Sequence, residues 1–247
     1  MILNEIGKVI TDAEILHRGW ISRQGFIFTG ITYPANIYDA IVIKHPQNVR
    51  CFSPVIKESS HNLKEQIQFI NREKIEKAMI IAENIDFIKK CPTLRYLRII
   101  PAENAGDGFD YSPLYEMPEI KSLQCSTVYG AGERFFTELD CERIIGLRDI
   151  HVTSRGYRNY KKISTLKSLE LSGSNELPDL SFLKTMKSLK TFVFNMNVKD
   201  GNLSLCTGLS YVYSERNRKH YNLKNAELPK GQYVRGNEDI EVWRRCE

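Results

Sequence analysis

Cys141, Asp149 and His151 bring a thiol, a carboxylate and an imidazole into one short stretch of this 247-residue chain. Covalent catalysis needs such a nucleophile within reach of a base that a third group orients, so an enzyme reading requires these three to converge. The other histidines, His17, His45, His61 and His220, are scattered with no carboxylate or cysteine at catalytic or metal-ligand spacing. The remaining cysteines are Cys51, Cys91, Cys125, Cys206 and Cys246, and the six together contain no C-x-x-C pair. Residues 129–134 (YGAGER) hold a G-x-G without the third glycine of a dinucleotide fingerprint. Residues 104–110 (NAGDGFD) lack the alternating oxygen ligands and terminal Glu of a calcium loop. The expectation is no catalytic residue, no metal and no cofactor.

Composition bounds the partners. The 35 Lys plus Arg stand against 30 Asp plus Glu for a net charge of +5, a mild excess that falls short of a dedicated nucleic-acid binder. Apolar residues make up 42% of the chain, which is ordinary for a globular protein with a sizeable core. Glu5, Lys8, Asp12 and Glu14 interrupt every early apolar run, and the longest run elsewhere, residues 78–82, falls far short of the roughly 20 residues of a membrane helix. A cytoplasmic monomer with reduced thiols and no membrane association is expected.

The elements that would position such side chains begin with β-rich runs at 25–31, 40–43 and 49–52, separated by turn-prone 33–36 and 45–48. A small antiparallel sheet over residues 1–60 is expected, capping the rest of the chain. Residues 61–84 then read as helical, with Ser59 or Ser60 as N-cap, Glu65 in the early turns, and a degenerate repeat (Ile75, Ala78, Ile80) near the end.

That triplet, spaced 0, +3, +5, recurs as Leu94, Leu97 and Ile99; Ile120, Leu123 and Cys125; Leu147, Ile150 and Val152; Leu166, Leu169 and Leu171; Leu189, Phe192 and Phe194; and Leu209, Val212 and Ser214, with a last echo at Leu223, Ala226 and Leu228. Six and three residues before the anchors stand Ile88 and Cys91, Leu114 and Met117, Cys141 and Ile144, Tyr160 and Ile163, Leu183 and Met186, and Leu203 and Cys206. A spacing of three suits the inward face of a 3₁₀ turn or short helix, and the switch to two suits a strand. Each unit therefore reads as helix, turn, strand, and stacking the units places the strands in one parallel sheet. Cys141 occupies an inward core position in this scheme, as do Cys91, Cys125 and Cys206.

Anchor separations of 19, 26, 27, 19, 23 and 20 residues, followed by a last interval of 14 that falls outside the repeat length and is assigned to a cap, the phrase DLSFLKTMKSLKTFVF at 179–194 and the consensus asparagine at Asn197 resemble a leucine-rich-repeat protein of the irregular bacterial type. The resemblance covers residues of about 64–230 and implies an α/β solenoid with a parallel sheet on its concave face. Only Asn197 and Asn217 hold the consensus asparagine position, so the asparagine ladder is mostly lost. The domain plan is then a capping segment at 1–60, the solenoid at 61–230 and a C-terminal cap at 231–247.

In strands whose anchors point inward, the alternate residues point out. The resemblance makes that face the binding surface, with Tyr96, Arg98, Gln124, Asp149, His151, Glu170, Tyr211 and Tyr213 as partner-binding candidates. Tyr and Arg are frequent energetic anchors of interfaces. The expected function is a non-catalytic module that binds a protein. An immunity or antitoxin-type inhibitor of a bacterial toxin is a more specific version. Nucleic-acid binding along the basic column Arg95, Lys121, Arg148, Lys167, Lys190 and Lys224 is the alternative from another class.

Overall fold

A computed structural model describes residues 13–17, 20–30, 38–49, 58–102, 105, 109–117, 119–125, 149–152, 166–171 and 176–232. The chain divides into two compact units, Met1–Met117 and Pro118–Glu247.

In the first unit, β1 (Ala13–His17), β2 (Trp20–Arg23), β3 (Phe26–Thr29) and β4 (Ala40–His45) run antiparallel in chain order. Gln24 and Gly25, at φ 49° and 80°, make the tight turn between β2 and β3, where positive φ matches the twist of a hairpin. β4 then pairs in parallel with β5 (Lys77–Ala82), and β5 with β6 (Tyr96–Pro101). The apolar run at 40–43 is thus the antiparallel sheet's last strand and also the first parallel one. Of the expected run at 49–52, Val49 is buried outside any strand, and residues 50–52 lie outside the described residues.

The helical stretch expected at 61–84 is shorter. Helix α1 spans Leu63–Glu73, and Lys74 ends it in the left-handed conformation at φ 53°. Beyond it the run Ala78–Ala82 has no polar face to give to solvent, so it becomes a strand buried on both sides. The N-cap is Asn62 rather than Ser59 or Ser60. Its side chain accepts the Glu65 amide at 3.0 Å while the Glu65 carboxylate accepts the Asn62 amide at 2.8 Å, a complete capping box. The two serines instead serve the β2–β3 turn, where the Ser59 hydroxyl (3.1 Å) and the Ser60 amide (3.1 Å) donate to the Gly25 carbonyl. Phe69 of α1 stacks on Phe26 at 3.9 Å and closes that face of the sheet.

The second unit contains β7 (Ser122–Cys125), β8 (Asp149–Val152), β9 (Ser168–Leu171), β10 (Glu176–Leu177), β11 (Thr191–Phe194), β12 (Asn197–Val198) and β13 (Tyr211–Ser214). The order β7-β8-β9-β11-β13 is parallel throughout, and β10 and β12 form a separate parallel pair. Here the sequence triplet is the sheet register. Leu123, Ile150, Leu169, Phe192 and Val212 are successive partners, and so are Cys125, Val152, Leu171, Phe194 and Ser214. Ala78 and Ile80 stand opposite Leu97 and Ile99 in the same way in the first unit.

The spacing of three before each anchor is 3₁₀ geometry. In the turn at Ser181–Thr185, Leu183, Met186 and Leu189 donate to Leu180, Leu183 and Met186 at 3.0, 3.2 and 3.0 Å. Each three-residue step returns the chain to the same face, so Leu180, Leu183, Met186 and Leu189 are all buried. Ile85, Ile88, Cys91 and Leu94 repeat this around Asp86–Lys90. Before Leu209 the turn Ser204–Gly208 carries only the last two steps, through Leu203 and Cys206, one 3₁₀ turn fewer. That is why Leu189 and Leu209 are 20 residues apart while Leu166 and Leu189 are 23 apart.

The last echo is no strand repeat. Asn225–Glu227 is a short 3₁₀ turn with Ala226 exposed, and the chain then runs antiparallel along the edge of β13. Tyr211 bridges Lys230 there, and the Val212 amide donates to Pro229 at 2.8 Å. Apart from residues 231 and 232, the expected cap at 231–247 lies outside the described residues.

Candidate interaction surface

Every second residue of the parallel strands builds the opposite face. In the second unit it consists of two rows in register. Ser122, Asp149, Ser168, Thr191 and Tyr211 form one; Gln124, His151, Glu170, Val193 and Tyr213 form the other. In the first unit Lys77 stands opposite Tyr96, and Met79 opposite Arg98. The strands thus place all eight partner-binding candidates on the outward rows of their own unit.

Their exposure differs from that expected. Tyr96 and Tyr211 are only 6% and 7% exposed, whereas Arg98, Glu170 and Tyr213 are half-buried. The side chains of Gln124, Asp149 and His151 lie outside the described residues. Lysine accounts for part of the cover over the tyrosines. The Lys77 ammonium lies 5.6 Å from the Tyr96 ring centre, and that of Lys230 lies 5.7 and 5.1 Å from the rings of Tyr211 and Tyr213. The alkyl stem of a lysine covers apolar surface while its head stays with polar groups. Lys77 pairs with Asp39 at 2.6 Å, and Lys230 donates to Val212 O and Asn225 Oδ1, each at 2.9 Å.

The same face carries a second apolar cluster in the first unit. Ile27, Val42, Val49, Met79, Ile81, Ile100 and Ala102 are buried together, with Trp20 and Ala105 packed against them. Strands β4 to β6 are therefore apolar on both sides, and the open polar face expected from alternation does not hold there. In the second unit the central Thr191 and Val193 are also buried, at 0% and 3%. Among the described side chains of its two rows, Ser122, Glu170 and Tyr213 are half-buried and the rest are buried. Sequence reasoning missed Lys77 and Lys230, whose approach to the tyrosines depends on chain pairings that no local spacing encodes, and Asp39, the partner of Lys77.

The basic column is uneven. Arg95 turns its guanidinium back onto Pro92 O at 2.6 Å and Leu94 O at 2.9 Å. Lys121 and Lys167 are half-buried, Lys190 is exposed, and Arg148 lies outside the described residues. The Lys224 ammonium closes its own turn, donating to the carbonyls of Arg218, Lys219 and Tyr221 at 3.1, 3.2 and 2.9 Å.

Of the catalytic convergence, Asp149 and His151 are two apart in β8, while Cys141 lies outside the described residues. Cys91 and Cys206 are buried free thiols, and burial pushes them up to about 11 and about 12. Loss of hydration disfavours the thiolate, so neither is a nucleophile at neutral pH. Among the described residues no group of three or more His, Cys, Asp or Glu is placed to hold a metal ion, and no helix is long and apolar enough to cross a membrane.

No protein-family model and no curated protein matches this sequence. Among solved structures the chain is similar to an internalin from Listeria monocytogenes, at 13% identity over 60% of this chain with a TM-score of 0.34, and the match spans half of that protein's length.

Proposed function

We propose that the chain is a non-catalytic protein-binding module, an irregular leucine-rich-repeat solenoid that meets a protein partner through the outward rows of its parallel strands. The observation that carries this reading is the unbroken register of Gln124, His151, Glu170, Val193 and Tyr213 over five strands. Such a ladder holds its side chains on hydrogen-bonded backbone, so a partner meets a pre-ordered surface and little entropy is lost on binding. Glu170 and Tyr213 are its accessible contacts, and the buried Tyr211 stands beside Tyr213 on the same side of β13. Arg98 plays the corresponding part in the first unit. The antiparallel strands β1 to β3 serve as the N-terminal cap, and the module works as a cytoplasmic monomer.

Affinity capture tests the reading with the full chain and a Glu170→Lys, Tyr213→Ser variant as baits in a native lysate. A protein retained by the first and lost from the second is the expected result. Retention of the same proteins by both would show that this face is not the binding surface.

A further inference from the structure

The side of the second unit that carries the 3₁₀ turns holds a charged feature that the strand face does not use. Lys184, Lys187 and Lys190 recur every three residues, one place after the buried Leu183, Met186 and Leu189, and all three are exposed. The steps that bury the leucines therefore align the lysines in a single column on the outside. Each step keeps Cα(i) and Cα(i+3) within about 7 Å, so the lysines leave the backbone at intervals of roughly 6 Å. Among the described residues none of the three forms an ion pair. Asp179, the acid whose carboxylate feels the charge of Lys184, is held mainly by Ser181, whose amide donates to it at 2.6 Å.

The flanking sequence supplies little acidic charge. The sequence has no Asp or Glu from Leu180 to Lys199, and no charged residue at all from Gly201 to Ser214. The turn Ser204–Gly208 packs beside Ser181–Thr185. Its positions equivalent to the lysines are Ser204, Thr207 and Ser210, all exposed. A column of ammoniums thus lies beside Ser204, Thr207 and Ser210, where Thr207 donates its hydroxyl to Ser204 O at 2.8 Å and Ser204 Oγ accepts from Asn222 at 2.9 Å; the ammoniums themselves suit carboxylate or phosphate oxygens.

We infer that this lysine ridge docks an extended acidic segment of a protein, with carboxylates on alternate residues meeting Lys184, Lys187 and Lys190. Alternate side chains of an extended strand are spaced by about 6.6 to 6.8 Å, close to the repeat of the ridge. Nucleic acid fits less well. Three cations are few beside the roughly 6 to 10 phosphate contacts of a nucleic-acid binder, and among the described residues no exposed aromatic lies along the ridge to stack a base. Single exposed ion pairs contribute little, so binding depends on the three lysines acting together and weakens as salt screens them. This docking is independent of the strand-face reading and stands or falls separately from it.

Fluorescence anisotropy of a labelled peptide alternating Glu and Thr, titrated with the full chain in dilute buffer, tests the assignment. The variant Lys184→Glu, Lys187→Glu, Lys190→Glu is expected to bind about tenfold or more weakly, and Lys187→Gln alone about twofold to threefold more weakly. The charge-matched variant Lys64→Glu, Lys199→Glu, Lys219→Glu is expected to retain most of the binding, and salt at about 0.3 M to remove it. Absence of peptide binding would overturn the assignment. So would equal loss in the ridge and charge-matched variants, or tighter binding of a single-stranded oligonucleotide than of the peptide.

Discussion

Phe194 and Leu171 face each other across the adjacent parallel strands β11 and β9, both at 0% exposure. Each stands five residues after its anchor, Leu189 or Leu166, so a repeated spacing in sequence has become a contact in space. The interior of the second unit is a stack of such equivalences, and its stability should concentrate in them.

Phe192 is the member with the largest expected effect. Its ring is fully buried, stacked on Phe194 at 4.9 Å and edge-on to Phe182 at 6.0 Å. Phe192→Ala is expected to cost about 3 to 5 kcal/mol, through lost burial and the cavity left behind. Lys187→Ala, on the exposed ridge, should stay within about 0.5 kcal/mol of the parent. Denaturant unfolding followed by circular dichroism checks both, and a small effect at Phe192 would contradict the packing described.

Helix α1 gives a sharper local test. Asn62→Ala removes the acceptor of the Glu65 amide and is expected to cost about 1 kcal/mol. Ser60→Ala leaves the backbone bond from Ser60 to Gly25 intact and should cost less. The reverse order in thermal unfolding would restore the serine as the cap.

The buried thiols predict a pH dependence. Cys91 and Cys206 are pushed up to about 11 and about 12 by burial, so thiolate is scarce in the folded protein until the pH nears those values. Below that range the neutral thiol is the favoured form in the fold, and ionisation on raising the pH works against folding. Iodoacetamide at about pH 8 should modify neither residue in the native protein and both after unfolding in denaturant, read by peptide mass spectrometry. Modification of Cys206 in the native state would contradict its place in the core.

The parallel sheet was legible because a spacing of 0, +3, +5 records two geometries at once, a 3₁₀ step and a strand alternation. Leu169, Phe192 and Val212 fall in register as their spacing implied. The missed features have a common physical origin. α1 stops at Glu73 because the next apolar run is buried on both faces, which the charge pattern of residues 61–76 does not reveal. Strands β1 and β2 are antiparallel partners and carry no repeat spacing. For the site, alternation located the outward rows but not their accessibility. Whether Tyr96 or Tyr213 meets solvent depends on Lys77 and Lys230, which arrive from 19 and 17 residues away in sequence.

The claim that the outward rows are the protein-binding surface is tested most directly by site-specific photo-crosslinking. A benzophenone side chain replaces Glu170 in one variant and Lys199, an exposed residue following β12, in another; each is irradiated in native lysate. The account predicts a discrete crosslinked protein from position 170 and none from position 199. No crosslink at 170, or the same product from both positions, would contradict it.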